Sequence, residues 1–313
     1  MADVVLNTIS KTYNKGTIQA VKEVSFSVEK GELFGLIGPD GAGKTSIFRI
    51  LTTLLLPDSG TASVNGHDII RDYKIIRNKV GYMPGKFSLY QDLTVEENLD
   101  FFATVFDTSI EENYEMIKDI YVQIEPFKTR RAGKLSGGMK QKLALCCALI
   151  HKPSVLFLDE PTTGVDVVSR REFWEMLKKL KEQGITILVS TPYMDEATLC
   201  DRIALIQAGK ILSIDTPGNI VKEYPEELYA IKAGNMNSLL NELRTHQLVN
   251  SCFAFGEYLH ISFKQNDAGE KLIKDLQDKG YQSLECKLIE PTIEDCFIKL
   301  MRSEHVRNSY TDQ

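Results

Sequence analysis

The stretch Gly38-Pro39-Asp40-Gly41-Ala42-Gly43-Lys44-Thr45-Ser46 constrains this 313-residue chain more than any other. Before it, Glu32 to Ile37 is an apolar run that reads as a buried strand. After it, Ile47, Ile50, Leu51 and Leu54 recur at helical spacing. Residues 38–45 fit G-x-x-x-x-G-K-[ST], and strand, loop and helix in that order make the pattern a phosphate site. Glycines at 38, 41 and 43 let the loop curl so that backbone N–H groups point inward at phosphate oxygens, and the following helix adds its positive end. Lys44 is then expected to reach the terminal phosphates of a nucleotide, and the Thr45 hydroxyl to ligate Mg²⁺.

A partner for that loop follows downstream. Val155-Leu156-Phe157-Leu158 reads as a second buried strand, ending in Asp159-Glu160-Pro161. Carboxylates delivered to the C-terminal edge of an α/β sheet sit where such sheets bind ligands. Asp159 is expected to hold Mg²⁺ and Glu160 to polarise an attacking water. Ile185 to Ser190 is a third buried strand, preceded by an amphipathic helix from Arg170 to Gln183. Residues 202–206 and 210–214 read as a hairpin turning at Gly209. Near the start, residues 4–11 and 21–28 read as short strands, and Pro57-Asp58-Ser59-Gly60 as a turn. Between about 85 and 150 the pattern is helical. Thr94 to Glu97 forms a capping box there, and Ser136 suits the N-cap of a helix through Leu149.

Alternating strands and helices give an α/β domain over residues 1–220, with the helical lobe inserted. The texture changes at Thr216-Pro217-Gly218. Residues 221–313 read as a separate domain of order β-α-β-β-α-β with a closing helix, a small α+β, ferredoxin-like unit.

Three blocks then carry a resemblance: the phosphate loop, Leu135-Ser136-Gly137-Gly138-Met139, and Asp159-Glu160. In this order they resemble the nucleotide-binding subunits of ABC transporters, over roughly residues 1–220. The resemblance implies a P-loop NTPase fold with a RecA-like core, ATP and Mg²⁺ as ligands, and ATP hydrolysis coupled to transport. It also implies a head-to-tail dimer, in which Leu135 to Met139 of one cassette complete the ATP site of the other. Tyr13 matches the aromatic that stacks on adenine, and Asp166 in Gly164-Val165-Asp166 matches a loop that touches the partner. Phe87-Ser88-Leu89-Tyr90 and Leu93 to Leu99 lie where family members receive a helix of the membrane subunit. A finer likeness is to ABC-2 type exporters, including the first cassette of tandem-cassette efflux ATPases. It rests on residues 134–143, Tyr193-Met194-Asp195-Glu196-Ala197 and Glu290 to Phe297. The implied partners are a second cassette, an ABC-2 permease and a membrane-fusion adaptor, on the cytoplasmic face of the membrane.

Two positions depart from the family pattern. Gly85 follows Gly81-Tyr82-Met83-Pro84 where a glutamine is expected, and Pro192 follows Leu188-Val189-Ser190-Thr191 where a histidine is expected. Glycine has no side chain to order a water, and proline offers neither a side-chain donor nor a backbone N–H. Phosphoryl transfer depends on positioning and charge stabilisation, so this chain's own site is expected to bind ATP but turn it over slowly. A heterodimer with an unlike cassette is the expected assembly, with a slow homodimer as the alternative. A non-hydrolysing regulatory ABC module, or an ABC protein of translation or DNA repair, is the rival function.

Composition bears on that last rival. Thirty-seven basic against 43 acidic residues give a net charge of −6, which speaks against nucleic acid as a partner. No apolar run approaches the roughly 18 residues of a membrane span, and the first residues do not read as a signal peptide. The six cysteines lack metal spacing and read as reduced, apolar thiols.

Overall fold

The computed structural model describes residues 2–86, 88–265 and 268–311, with side chains as far as Arg302. It divides into a first unit, residues 1–220 joined by the chain from Lys299, and a second unit, Val221–Ile298. The second unit thus stops at Ile298 rather than at the chain end, within the last helix.

The first unit opens with β1 (Ala2–Tyr13), β2 (Ile18–Glu29), β3 (Leu33–Ile37), α1 (Lys44–Leu51), β4 (Ser59–Val64) and β5 (His67–Asp68). Next come α2 (Tyr73–Lys79), β6 (Val80–Met83) and the lobe helices α3 (Val95–Val105), α4 (Ile110–Tyr121) and α5 (Gly137–Leu149). It continues through β7 (Val155–Asp159), α6 (Val167–Glu182), β8 (Thr186–Thr191), β9 (Arg202–Gln207), β10 (Lys210–Asp215) and α7 (Pro217–Lys222).

Two sheets result. The larger has the order β10-β9-β3-β8-β7-β6, parallel except for the β9–β10 hairpin. Every residue of β3, β7 and β8 is buried, as expected of parallel strands covered on both faces. The second sheet, β2-β1-β4-β5, is antiparallel and was not expected as a separate layer. Its buried residues, Val4, Leu6, Val24 and Phe26 among them, share a core with Ile47, Phe48 and Leu51 of α1. The Phe26 and Phe34 rings stack at 5.3 Å within it.

In the lobe, Thr94 and Glu97 form the expected capping box at α3, and Ser109 Oγ accepts from Glu112 N–H to cap α4. Leu99, Ile117, Ile120 and Leu143 are buried there.

The second unit runs β11 (Leu228–Lys232), α8 (Met236–Thr245), β12 (Val249–Phe255), β13 (Tyr258–Phe263), α9 (Gly269–Asp278), β14 (Glu285–Ile289) and the start of α10 (Ile293–Thr311). Its sheet is antiparallel, in the order β12-β13-β11-β14. Leu239 and Leu243 of α8 and Leu272 and Leu276 of α9 build its core with Ile231, Leu259 and Ile261.

The order of the parallel strands positions the site. β3, β8, β7 and β6 are neighbours, in the register Ile37 beside Thr191, Ser190 beside Asp159, and Leu158 beside Met83. Their C-terminal ends therefore open side by side.

Candidate functional site

Four segments leave that edge: the loop after β3, Pro192 after β8, Glu160 after β7, and Pro84-Gly85 after β6. The first is tightly seated. A Cβ at Gly38 would lie 2.2 Å from the Ile206 carbonyl oxygen, and one at Gly43 2.3 Å from that of Ala20. Gly41 and Gly43 also hold φ of +77° and +106°, which side chains resist. Gly43 caps α1 without a side-chain acceptor, so the N–H groups of the first turn have no capping side chain. Asp40 and Thr45 are exposed, Pro39 and Ser46 half-buried, and Ala42 buried.

The Lys44 ammonium is only 3% exposed. It donates to the carbonyl oxygens of Gly38 (2.7 Å) and Pro39 (3.0 Å) and lies 3.1 Å from Glu160 Oε1. An uncapped helix start beside a buried cation is a fit for a polyphosphate, which supplies acceptors to both. Tyr13 reaches the same helix, its hydroxyl 3.0 Å from Ser46 Oγ.

Asp159, 2% exposed, closes β7 and accepts from Ser190 Oγ at 2.6 Å. Glu160 lies just past the strand, at φ +51°. Its N–H is held by Ser190 Oγ (3.0 Å) and by the Ser190 carbonyl (3.1 Å). Burial, with the charge of Asp159 adding to it, pushes the Tyr82 phenol up to about 12. Gly85 belongs to this cluster: a Cβ there would stand 3.0 Å from the Asp159 carbonyl oxygen and 3.7 Å from Glu160 Cβ. The structure thus brings Lys44, Asp159, Glu160 and Gly85 together. Pro192 directly follows Thr191, whose carbonyl accepts from Gly38 N–H at 3.2 Å.

Ser136 to Met139 open helix α5. Ser136 Oγ accepts from Met139 N–H at 3.3 Å and caps α5. Leu135 is buried, while Ser136 and Gly137 are exposed. Gly138 is packed so closely that a Cβ would lie 2.6 Å from Ser169 Oγ, so the start of α5 rests on the first turn of α6. Asp166 caps α6, accepting from Val168 N–H (3.1 Å) and Ser169 N–H (3.0 Å). The Ser169 N–H holds its carboxyl below the usual carboxylate range.

Between core and lobe lies a cavity of about 410 Å³, lined by Leu54, Tyr82, Gly85, Leu89, Phe102 and Val105 among others. Of the stretches expected to meet a membrane subunit, Phe87 lies outside the described residues. Ser88 and Leu89 line this cavity, and Tyr90 is exposed. Within the second stretch, Val95, Asn98 and Leu99 are buried in the lobe core. Asn98 donates to the Tyr90 and Thr94 carbonyls, so its work is to fix the loop before α3.

Comparison with known proteins agrees with this geometry. The ABC transporter family model matches residues 21–163. Nod factor export ATP-binding protein I of Rhizobium sp. (strain N33) is 33% identical over 97% of this chain and 99% of its own length. The chain belongs to the ABC transporter ATP-binding proteins. A probable multidrug ABC transporter ATP-binding protein, YbhF of Escherichia coli (strain K12), is 36% identical over 96% of this chain. This chain spans about half of YbhF, 52%. Among solved structures, the dimeric post-hydrolysis cassette MJ0796 bound to ADP and Pi superposes with a TM-score of 0.62 at 27% identity. That match covers 68% of this chain and 98% of the cassette. In this ABC protein the α/β fold is therefore that of a P-loop ATPase cassette.

Sequence reasoning passed over Ser190, Thr162 and Glu196. Ser190 holds the Asp159 carboxylate and the Glu160 backbone N–H. Glu196, 2% exposed, accepts from Thr162 and Thr191. The signal was present: two hydroxyl residues follow the apolar run Ile187–Val189, and an acid follows five positions after the second.

Proposed function

We propose that this chain is an ATP-binding subunit of an export-type ABC transporter. It binds MgATP, pairs head-to-tail with a second cassette, and powers a separate ABC-2 type permease. The carrying observation is the convergence of Lys44, Asp159, Glu160 and Gly85 at one sheet edge, beside an uncapped helix start. Lys44 and the loop from Gly38 to Ser46 take the phosphates, and Tyr13 stacks on the base. Thr45 and Asp159 hold the metal, which when bound neutralises phosphate charge. Glu160 orients the attacking water. Ser136 to Met139, on the start of α5, complete the partner's site, and Asp166 lies on the same contact face.

Several findings support this reading. The relatives' names speak of a multidrug ABC transporter, of Nod factor export and of doxorubicin resistance. The MJ0796 cassette is described as a dimer with bound ADP and Pi. Among the described residues no helix is long and apolar enough to cross a membrane. The apolar cavity between core and lobe suits a helix of that permease, and a membrane-fusion adaptor is a further partner. The second unit serves as an accessory, ferredoxin-like domain.

The own site is degenerate, because neither Gly85 nor Pro192 offers a polar side chain to the water or the terminal phosphate. An unlike, competent cassette is therefore the preferred partner. A non-hydrolysing regulatory module is the second reading, favoured by the same two residues. The test is the double change Gly85→Gln with Pro192→His. A glutamine at 85 starts beside Asp159 and Glu160 once its Cβ gains a few tenths of an ångström. Steady-state ATP hydrolysis by the isolated chain should rise at least about tenfold, roughly 1.4 kcal/mol in the barrier. Glu160→Gln serves as the inactive control. Wild-type turnover equal to that of the double variant refutes the degenerate site.

A further inference from the structure

Glu196 is an expensive residue to keep. A carboxylate 2% exposed costs stability unless it is paired and hydrogen-bonded, and an apolar side chain of its volume is often as stable or more so. Its partners come from three separate segments. Thr162 Oγ1 donates to both oxygens, at 2.8 and 3.1 Å, and Thr191 Oγ1 donates to Oε2. Arg170 Nε lies 3.5 Å from Oε1. Thr162 is two residues beyond Glu160, and Thr191 immediately precedes Pro192. Arg170 is in the first turn of α6. Arg170 also binds Asp195 at 2.9 Å and covers the Tyr193 ring at 4.5 Å, so residues 193–196 are fastened to α6.

From α6 the contacts pass on to α5. The Gly138 backbone sits on Ser169 with no room for a side chain, and a Cβ at Gly137 would lie 3.5 Å from the Gly164 carbonyl oxygen. One buried carboxylate thus joins the loop carrying Glu160, the segment carrying Pro192, and the helix on which Gly138 rests. At position 192 the chain has no polar side chain with which to make this connection itself.

We propose that Glu196 is a positioning residue that couples this chain's own nucleotide site to its Ser136–Met139 helix start, acting through Thr162, Thr191 and Arg170. The proposal rests on the ATP-binding reading above. Movement of the Thr191–Pro192 segment on nucleotide binding draws Thr162 and α6 with it, and α6 shifts the residues that face the second cassette.

The test is amide hydrogen exchange of the full chain with and without MgATP, for wild type and Glu196→Gln. Glutamine keeps the shape but loses the charge toward Arg170 and one of the acceptor oxygens. In wild type, MgATP should slow exchange at residues 38–46 and also at 137–142 and 164–169. In Glu196→Gln the first response should remain and the second fall at least about threefold. Thr162→Val removes one leg of the same contact and should reproduce the loss; it also stands in should Glu196→Gln fail to fold. Equal responses at 137–142 in wild type and variants overturn the proposal, as does a wild type that responds only at 38–46. A wild type that does not respond at 38–46 overturns the ATP-binding reading itself. A purely structural role would lower thermal stability and leave the nucleotide-induced difference intact.

Discussion

Ser190→Ala removes one oxygen atom and tests how the carboxylates are held. Ser190 is fully buried, and its hydroxyl is the donor to Asp159 at 2.6 Å. Without it a carboxylate 2% exposed loses that donor, with no water able to replace it cheaply. Hydrogen bonds to charged groups contribute about 1.5–3 kcal/mol, and stranding a buried acceptor costs on the same scale. The same hydroxyl accepts from Glu160 N–H, but that N–H keeps the Ser190 carbonyl at 3.1 Å, so this second loss is small. The expected destabilisation is therefore about 2 kcal/mol, nearly all of it from Asp159.

The assay is built into the chain. Trp174 is the single tryptophan, buried on α6 in the first unit, so its fluorescence in urea reports that unit and not the other. A loss of about 2 kcal/mol would move the thermal midpoint of a unit this size by roughly 4–8 °C. Glu160, at φ +51°, is also held less firmly, so ATP turnover should fall even well below the midpoint. A loss under about 0.5 kcal/mol, the ordinary effect of a harmless surface change, would refute the claim that Ser190 supports Asp159.

Two further outcomes follow from the same geometry. Lys44→Ala deletes a buried ammonium that no neighbouring cation replaces in the loop, and breaking such charge-assisted contacts should weaken ATP binding roughly 30-fold or more, measured by equilibrium binding of a labelled nucleotide. Unchanged affinity would mean that the loop is not the phosphate site. Ser136→Arg should leave ATP binding by the isolated chain within about twofold, since Ser136 is exposed and its hydroxyl only caps α5, yet abolish hydrolysis by the assembled complex. Loss of binding in the isolated variant would contradict the head-to-tail arrangement.

The strongest local signals were the ones with internal repetition. The phosphate loop, the apolar strands β3, β7 and β8, and the caps at Thr94 and Ser136 are each specified by a few adjacent residues. In the second unit, helices α8 and α9 each repeat an apolar residue four positions on, Leu239 with Leu243 and Leu272 with Leu276, and so read plainly. Residues 59–83 did not. β5 has two residues, β6 four with a glycine among them, and α2 seven, mostly polar. None is long enough to display a period, and each exists because a neighbouring strand or helix covers it. The antiparallel sheet escaped notice for a different reason: β1 and β2 read as strands, but nothing in their own residues says that they pair with each other and with β4 rather than with β3.

The site was legible as residues but not as a place. Gly85 and Pro192 are 107 positions apart, and only the departure from a resemblance drew attention to them. What unites them is the strand order β3-β8-β7-β6, in which β8 enters between β3 and β7 although it follows both in the chain. That insertion sets Ser190 against Asp159 and Thr191 against Ile37, and it carries Glu196 to within reach of Thr162. A sequence read in order pairs each acid with its own strand. The sheet pairs Asp159 with the hydroxyl of a strand made later, so Ser190 fixes where that carboxylate points, and Thr162 and Glu196 tie the segments on either side of it together.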